Sequence, residues 1–407
     1  MTLGSLFSGS GSFELAGVLS GIAPVFASEV EPYPIAVTTS RFPYMKHLGS
    51  VTDVHGDEAD PVDVLTMGFP CFPAGTLILT DQGYKPIEDV KVGDLCLTHR
   101  NHWKRVVRTG HREAPTILLK GNHYGLKCTP EHPFYVGNEQ WEQAKNMLDR
   151  KWAVPCEVAP LPIPQMRDMG SRYNTAPEIN ADLMYICGRW LADGWIRDGQ
   201  RSNRPIGQTL HQIVICANEE KTPMLLEKMR LVFPYVAVTR ERTCNKLRVQ
   251  NAPMQEWLME NFGRGAAGKR LPAWIYGADI ELRKAFLRGY FDGDGDCDKL
   301  RSTTVSKQLA HGIRLLGECT LENATGTIFF QKRDSTCVIE GRTCSQRDTY
   351  TCRFYDAHKQ EIVTSEGKHW YRVRSVEPSV RDTVYNIEVE DDHSYVAEGI
   401  VVHNCQD

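Results

Sequence analysis

The sequence predicts a multidomain chain that combines an α/β unit, an all-β unit and an α+β unit. Three observations predict it. Residues 1–70 alternate apolar strands with helical stretches across a glycine turn. The stretches just after residue 71 and just before residue 404 are short, alternate in polarity and are punctuated by closely spaced Gly and Asp. Between them, an apolar helix with a mid-way glycine and a terminal acid before Gly occurs twice, which reads as an internal repeat.

Length and composition set the outer limits. A chain of 407 residues suits roughly two to four domains. With 41% hydrophobic and 24% charged residues it is ordinary for a globular protein. The net charge of −4 carries no global nucleic-acid signature, so any basic surface must be local. Thirteen cysteines lack paired metal spacing and read as free thiols, which points to a reducing, cytoplasmic setting. No apolar run reaches membrane-spanning length and no basic, hydrophobic leader is present, so no membrane partner is expected.

The α/β unit opens with a strand from Leu3 to Phe7, a turn Ser8-Gly9-Ser10-Gly11 and a helix from Phe13 to Leu19. A second strand, Val25-Phe26-Ala27, ends at Ser28-Glu29, and a third, Val62 to Met67, runs into Gly68-Phe69-Pro70. This order predicts a parallel sheet that binds a ligand at the C-terminal ends of its strands. Glycines let the backbone approach that ligand, and an acid at the next strand end can bind ribose hydroxyls.

The all-β unit starts at Phe72–Thr80, turns at Asp81-Gln82-Gly83 and continues through Pro86–Asp94. Its second piece alternates through Trp370–Val376 and Val384–Val389 and leads into Gly399–Asp407. Deleting Cys71 to Asn404 joins Gly68-Phe69-Pro70 to Cys405-Gln406-Asp407. The joined string resembles the catalytic loop of DNA cytosine-5 methyltransferases. The deleted segment begins with Cys, ends with His-Asn and is followed by Cys, and so resembles an intein. A lone Cys is most often a small buried hydrophobe, but here both junctions fit one scheme. Thiols suit acyl transfer because a thiolate is strongly nucleophilic near neutrality.

The intein resemblance implies a Hint fold and assigns roles. Cys71 takes the Pro70 acyl group as a thioester, Cys405 receives it, and Asn404 cyclises to release the downstream side, all without a cofactor. His403 is placed to polarise the Asn404 carbonyl. Thr129-Pro130-Glu131-His132 looks like the family's Thr-x-x-His block, with His132 acting on the nitrogen of the Pro70–Cys71 bond and Thr129 orienting it. His393 matches the histidine that assists Asn cyclisation. The methyltransferase resemblance implies a Rossmann-like fold and S-adenosylmethionine, held by Phe7, Ser8, Gly9, Ser10 and Gly11, with Glu29 on the ribose and Val30 on the adenine. Ser8 and Ser50 stand where that family often has acids. The family's later segments are absent from this sequence, so methylation is expected to need a missing C-terminal methyltransferase part.

In the repeat, Ile186–Gly194 recurs as Leu287–Gly295. A glycine on each helix face allows backbone-to-backbone packing, which brings Asp193 and Asp294 together. Two such carboxylates repel unless a hard cation lies between them. Two copies within an intein resemble a LAGLIDADG homing endonuclease. The resemblance implies double-stranded DNA as partner, Mg²⁺ as cofactor, and Asp193 and Asp294 as metal-binding catalytic acids. Arg201, Arg204, Arg240, Arg242, Lys246 and Arg248 after the first copy, and Arg301, Lys307, Lys332, Arg333, Arg342 and Arg347 after the second, are expected on DNA-facing sheets. The helices Thr222–Val232 and Ser306–Leu316 are expected to back those sheets.

The expected division is 1–70 methyltransferase, 71–165 and 358–404 Hint, 175–357 endonuclease and 405–407 the downstream flank. Two alternatives stand beside it: a DNA cytosine-5 methyltransferase carrying an inert insertion, and a DNA-binding insertion that does not cut.

Overall fold

The structure is a computed structural model that describes the chain except residues 7, 10, 31, 51–53, 55, 57–58, 68–70, 122–123, 169–174, 199–210, 297–299, 340–341, 359–361 and 405–407. Of 67, 294–296, 337, 339 and 342 it describes the backbone only.

The N-terminal unit follows the predicted alternation: β1 (Thr2–Leu6), α1 (Ser12–Leu19), β2 (Ala23–Ser28), α2 (Pro32–Arg41), β3 (Lys46–His47) and β4 (Val64–Met67). Its sheet runs β3-β2-β1-β4 with every pairing parallel. Helical crossovers dictate that arrangement, because parallel neighbours cannot be joined by a tight turn. Leu3, Phe26, Ala27, Phe42 and Met45 form the buried side of this layer.

A ten-stranded sheet is woven from both ends of the insertion. The hairpin of Ser394–Ala397 and Ile400–His403 is inserted between Pro133–Gly137 on one side and Leu77–Thr80 on the other. The strand Asp382–Val389 lies between Trp103–Ala114 and Phe72–Pro73. Alternating apolar positions supply the core: Phe72, Ile78, Cys96, Phe134, Ile387, Tyr395 and Val402 are all buried. Residues on either side of a gap of more than two hundred positions therefore share one core, which places both ends of the segment in one body.

Between these halves lies the duplicated α+β unit. Its helices are α3 (Ala181–Asp193), α4 (Thr222–Val232), α5 (Ala252–Phe262), the short α6 (Gly265–Gly268), α7 (Ile280–Asp294) and α8 (Lys307–Glu318). Asn180 starts α3 by accepting the Leu183 N–H at 3.0 Å, and Ser306 does the same for Leu309 before α8 at 3.1 Å. Each repeat adds a four-stranded antiparallel sheet, one of Gly194–Arg197, Gln212–Ala217, Asn245–Gln250 and Ala237–Arg240, the other of Gly295–Asp296, Arg301–Thr304, Thr349–Asp356 and Ala324–Gln331. Helices α3 and α7 pack backbone to backbone. A Cβ on Gly188 would lie 2.1 Å from the Phe286 carbonyl oxygen, and one on Gly289 would lie 2.1 Å from that of Tyr185. Only glycine fits at those two crossings, as the repeat pattern requires.

One expectation about the basic residues is corrected. Lys307 does not face outward with the DNA-facing set; its ammonium is tied to Glu398 and to the Gly75 carbonyl in the woven sheet's unit. The reason is position: it is the first residue of α8, and that end of the helix docks on the β-rich body. Arg201 and Arg204 lie outside the described residues, as does the side chain of Arg342.

Candidate functional site

The upstream junction is clamped at its backbone. The Cys71 N–H donates to Thr129 Oγ1 at 2.9 Å, and the Thr129 N–H returns to the Cys71 carbonyl at 3.0 Å. Thr129 follows the strand Gly125–Cys128, so sheet pairing fixes its place. The Cys71 thiol is buried against Ala114 and Val384. Burial pushes it up to about 11, and the Arg112 guanidinium, which hydrogen-bonds it, pulls the other way. His132 was expected on the nitrogen at this junction, but the described partner of that nitrogen is Thr129. The His132 ring lies instead against Phe72 at 4.2 Å between centroids, with Phe134 and Tyr395 at 5.8 and 6.4 Å. It is fully buried, neither ring nitrogen has a partner among the described residues, and burial, aided by His403, depresses it to about 3. It is therefore a neutral imidazole.

The downstream junction is held as tightly. Asn404 is fully buried. Its N–H donates to the His393 carbonyl at 2.6 Å, and its side-chain Nδ2 donates to the Val389 carbonyl at 2.7 Å. His403 Nδ1 stands 3.1 Å from the Asn404 carbonyl oxygen, the atom a proton donor must reach. The His403 ring is set edge-on to Trp141 at 4.5 Å and is stacked near His393 at 6.3 Å. His393 is left-handed at φ 47° in a tight turn. That turn is anchored by the buried Asp392 carboxylate, which accepts from Thr98 Oγ1 at 2.6 Å and pairs with His102 Nδ1 at 3.0 Å. Burial would raise the Asp392 carboxyl, but those two hydrogen bonds outweigh it and hold it low. Cys405 lies outside the described residues.

In the repeat region, Asp193 ends α3 with its Oδ2 3.0 Å from Arg189 Nη1. Arg189 is buried and also donates to the Cys216 carbonyl at 3.0 Å. A Cβ on Gly293 would lie 3.0 Å from the same Asp193 oxygen, so the end of α7 packs directly on this carboxylate. Asp294 follows at the end of α7, with its side chain outside the described residues. The Asp193 carboxylate, an oxygen donor of the kind a hard divalent cation takes, is held at the end of α3 through its Oδ2. Among the described residues no group of three or more His, Cys, Asp or Glu stands together as a complete ligand set.

In the N-terminal unit, Glu29 Oε2 accepts the Gly9 N–H at 2.8 Å and its Oε1 accepts the Val30 N–H at 2.8 Å. Val30 is exposed, and Gly11 is left-handed at φ 88°, where a Cβ would meet Thr38 at 2.9 Å. Ser8 Oγ and Glu14 Oε2 are buried without partners among the described residues, which fits a loop built to take a polar ligand. Phe7 and Ser10 lie outside the described residues.

Comparison with known proteins meets this geometry. A family model of the Hint domain matches residues 70–142, and one of the C-5 cytosine-specific DNA methylases matches residues 1–74. Residues 70–142 are thus similar to a Hint domain and residues 1–74 to a segment of a C-5 cytosine-specific DNA methylase. Among curated relatives, the ATP-dependent DNA helicase Hel308 of Thermococcus kodakarensis is 25% identical over 418 residues, covering 82% of this chain and 36% of the helicase. The chain spans about a third to a half of the length of the curated relatives it matches. Among solved structures, I-DmoI in complex with DNA and Mn is 15% identical, with a TM-score of 0.33 over 45% of this chain and 94% of that one. A G-1F mutant of the Ssp DnaB mini-intein variant M86 is 9% identical, with a TM-score of 0.28 over 83% of this chain and 99% of that one.

Three residues around the Hint domain and its insert were not read from sequence. Arg112 shares a strand face with the buried Ala114, two positions on, and that period of two was the signal that could have found it. Asp392 carries no such signal, since its partner Thr98 lies 294 positions away and is brought to it by folding, whereas Arg189 stands four positions before Asp193 on α3, a spacing that puts the two on one helix face.

Proposed function

We propose that the Hint domain excises itself and joins its flanks. The single observation that supports this most directly is His403 Nδ1 at 3.1 Å from the Asn404 carbonyl oxygen, in the same ten-stranded sheet as the strand Phe72–Pro73 that follows Cys71. The Cys71 sulfur attacks the Pro70 carbonyl carbon; the C–N bond breaks, a thioester forms and the thiol proton passes to the released amine. Thr129 holds the Cys71 nitrogen, and Arg112 favours the thiolate. The Cys405 sulfur then takes the acyl group and Cys71 regains a thiol. Asn404 Nδ2 attacks its own carbonyl carbon, closing a succinimide and expelling the Cys405 amine, with His403 and His393 at the carbonyl and backbone. The free amine captures the thioester as a peptide bond.

The division that goes with this reading is 71–165 with 358–404 as splicing unit, 175–357 as LAGLIDADG-type endonuclease, and 1–70 with 405–407 as flanks belonging to a cytosine-5 methyltransferase. In the endonuclease, Asp193 and Asp294 would hold Mg²⁺, which supplies charge stabilisation and an activated water for phosphodiester hydrolysis. Glu29 and the Ser8–Gly11 loop would hold S-adenosylmethionine in the completed methyltransferase. The compartment proposed is the cytoplasm.

Mass spectrometry of the expressed chain tests the first claim. Splicing yields residues 71–404 as one species and 1–70 joined to 405–407 as another. Cys71→Ala should abolish joining, and Asn404→Ala should retain the downstream tail. Normal joining in Cys71→Ala would overturn the mechanism. For the insert, Mg²⁺-dependent cutting of an uninterrupted methyltransferase gene, lost in Asp193→Asn, separates a nuclease from a module that only binds.

A further inference from the structure

We propose that helix α8 is a positioning element for the downstream splice junction, acting through Lys307 and Arg314; this rests on the splicing reading above. The hairpin that delivers Asn404 turns at Glu398 and Gly399, both left-handed at φ 48° and 84°. One of its strands starts just after His393 and the other ends at His403, the two residues that bond Asn404. Helix α8 grips the turn between them. Lys307 Nζ pairs with the Glu398 carboxylate and donates to the Gly75 carbonyl at 2.8 Å. Arg314 Nη1 donates to the Glu398 carbonyl at 3.3 Å, and a Cβ on Gly399 would lie 2.9 Å from that same nitrogen. Gln308 adds a bond to the Tyr84 carbonyl at 2.9 Å on the strand alongside.

The grip is itself rigid. The buried Arg314 guanidinium lies over the Tyr124 ring at 4.2 Å, and its Nε donates to the Gly326 carbonyl at 2.9 Å. Glu398 is almost fully buried, so removing Lys307 leaves its carboxylate without that cation. A shift at the turn moves both strands and changes the distance from Asn404 Nδ2 to its own carbonyl carbon, and attack demands close, aligned atoms. The clamp on Cys71 is built from Thr129 and Arg112 and contains no residue of α8. Helix α8 therefore acts mainly on Asn cyclisation, since Lys307 reaches the upstream side only at the Gly75 carbonyl, four residues past Cys71.

The test uses the full chain in two backgrounds. Cys71→Ala isolates Asn404 cyclisation, read as release of residues 405–407 by mass spectrometry. Asn404→Ala isolates the thioester, read as cleavage after Pro70 by dithiothreitol. Lys307→Ala should slow the first reaction about tenfold and the second by less than about twofold, and Lys307→Arg should restore the first. Glu398→Gln should repeat the split, and it decides the matter if Lys307→Ala fails to unfold cooperatively. Equal slowing of both reactions, or of neither, overturns the proposal. A parent chain that performs neither reaction overturns the splicing reading itself.

Discussion

The backbone N–H of Cys71 and the hydroxyl oxygen of Thr129 form a 2.9 Å hydrogen bond, and the Thr129 N–H answers to the Cys71 carbonyl at 3.0 Å. This reciprocal pair holds the nitrogen of the amide that breaks in the proposed splicing reaction. Replacing Thr129 by Val keeps the shape, preserves the backbone half and removes the acceptor. One lost hydrogen bond of about 1 kcal/mol predicts thiol-induced cleavage after Pro70 slowed about five- to tenfold, with release of residues 405–407 in the Cys71→Ala background unchanged. Loss of both activities together would show Thr129 to be a folding residue only.

Burial raises the Cys71 thiol to about 11 and the Arg112 cation opposes the rise. Below that value each unit of pH changes the thiolate fraction about tenfold. The rate of dithiothreitol cleavage in Asn404→Ala should therefore climb from pH 7 towards pH 10. Arg112→Met removes the opposing cation, lifts the thiol further and should lower the rate throughout that range. A pH-independent rate, or a faster Arg112→Met, would contradict the assignment.

His403 faces the carbonyl of Asn404. As a general acid it is worth about 10²- to 10⁴-fold, so His403→Ala should slow tail release by that order and leave the thioester step nearly intact. Quantifying both products over time by mass spectrometry distinguishes this from a general loss of structure.

Two buried histidines shift in opposite directions, and both bear on stability. Burial, with His403 adding, holds His132 at about 3, below its unfolded value near 6.5, so the fold favours the neutral ring. Its contribution is complete above 6.5 and is lost as pH falls from there towards 3. Burial alone would lower His369, but hydrogen bonds with Cys156 and Glu318 overcome it and raise it to about 9. Its contribution is complete below 6.5 and is lost as pH rises through about 9. Guanidinium midpoints should fall on both sides of neutrality; His369→Gln should flatten the alkaline limb and spare the acid one.

Gly289 meets the Tyr185 carbonyl at a distance no Cβ tolerates. Gly289→Ala should separate α3 from α7 and cost about 1–3 kcal/mol of stability, read as a lower thermal midpoint. DNA cutting should fall with it, because the Asp193 carboxylate is packed by the end of α7. An unchanged midpoint would mean that the helices cross elsewhere.

Much of this molecule was legible in one dimension. Cys71, His403-Asn404 and Cys405 carry the residue types that the proposed junction chemistry needs, since few residue types can perform acyl transfer and cyclisation. The glycines Gly188 and Gly289 announced a close helix pair because no other side chain fits such a crossing. The parallel order of β1 to β4 followed from strand and helix periodicity. These are local properties, written in residue type and spacing.

Folding decided which groups meet. Thr129 rather than His132 bonds the Cys71 nitrogen, because the strand ending at Cys128 carries it there. Arg112 faces the thiol only through the pairing of Trp103–Ala114 with Asp382–Val389. Lys307 left the expected DNA-facing set for the Glu398 turn because its helix end docks on the Hint domain. Sequence determined the reactive groups and the elements that carry them; hydrogen-bond partners, burial and charge neighbours across hundreds of positions arise only when the woven sheet closes.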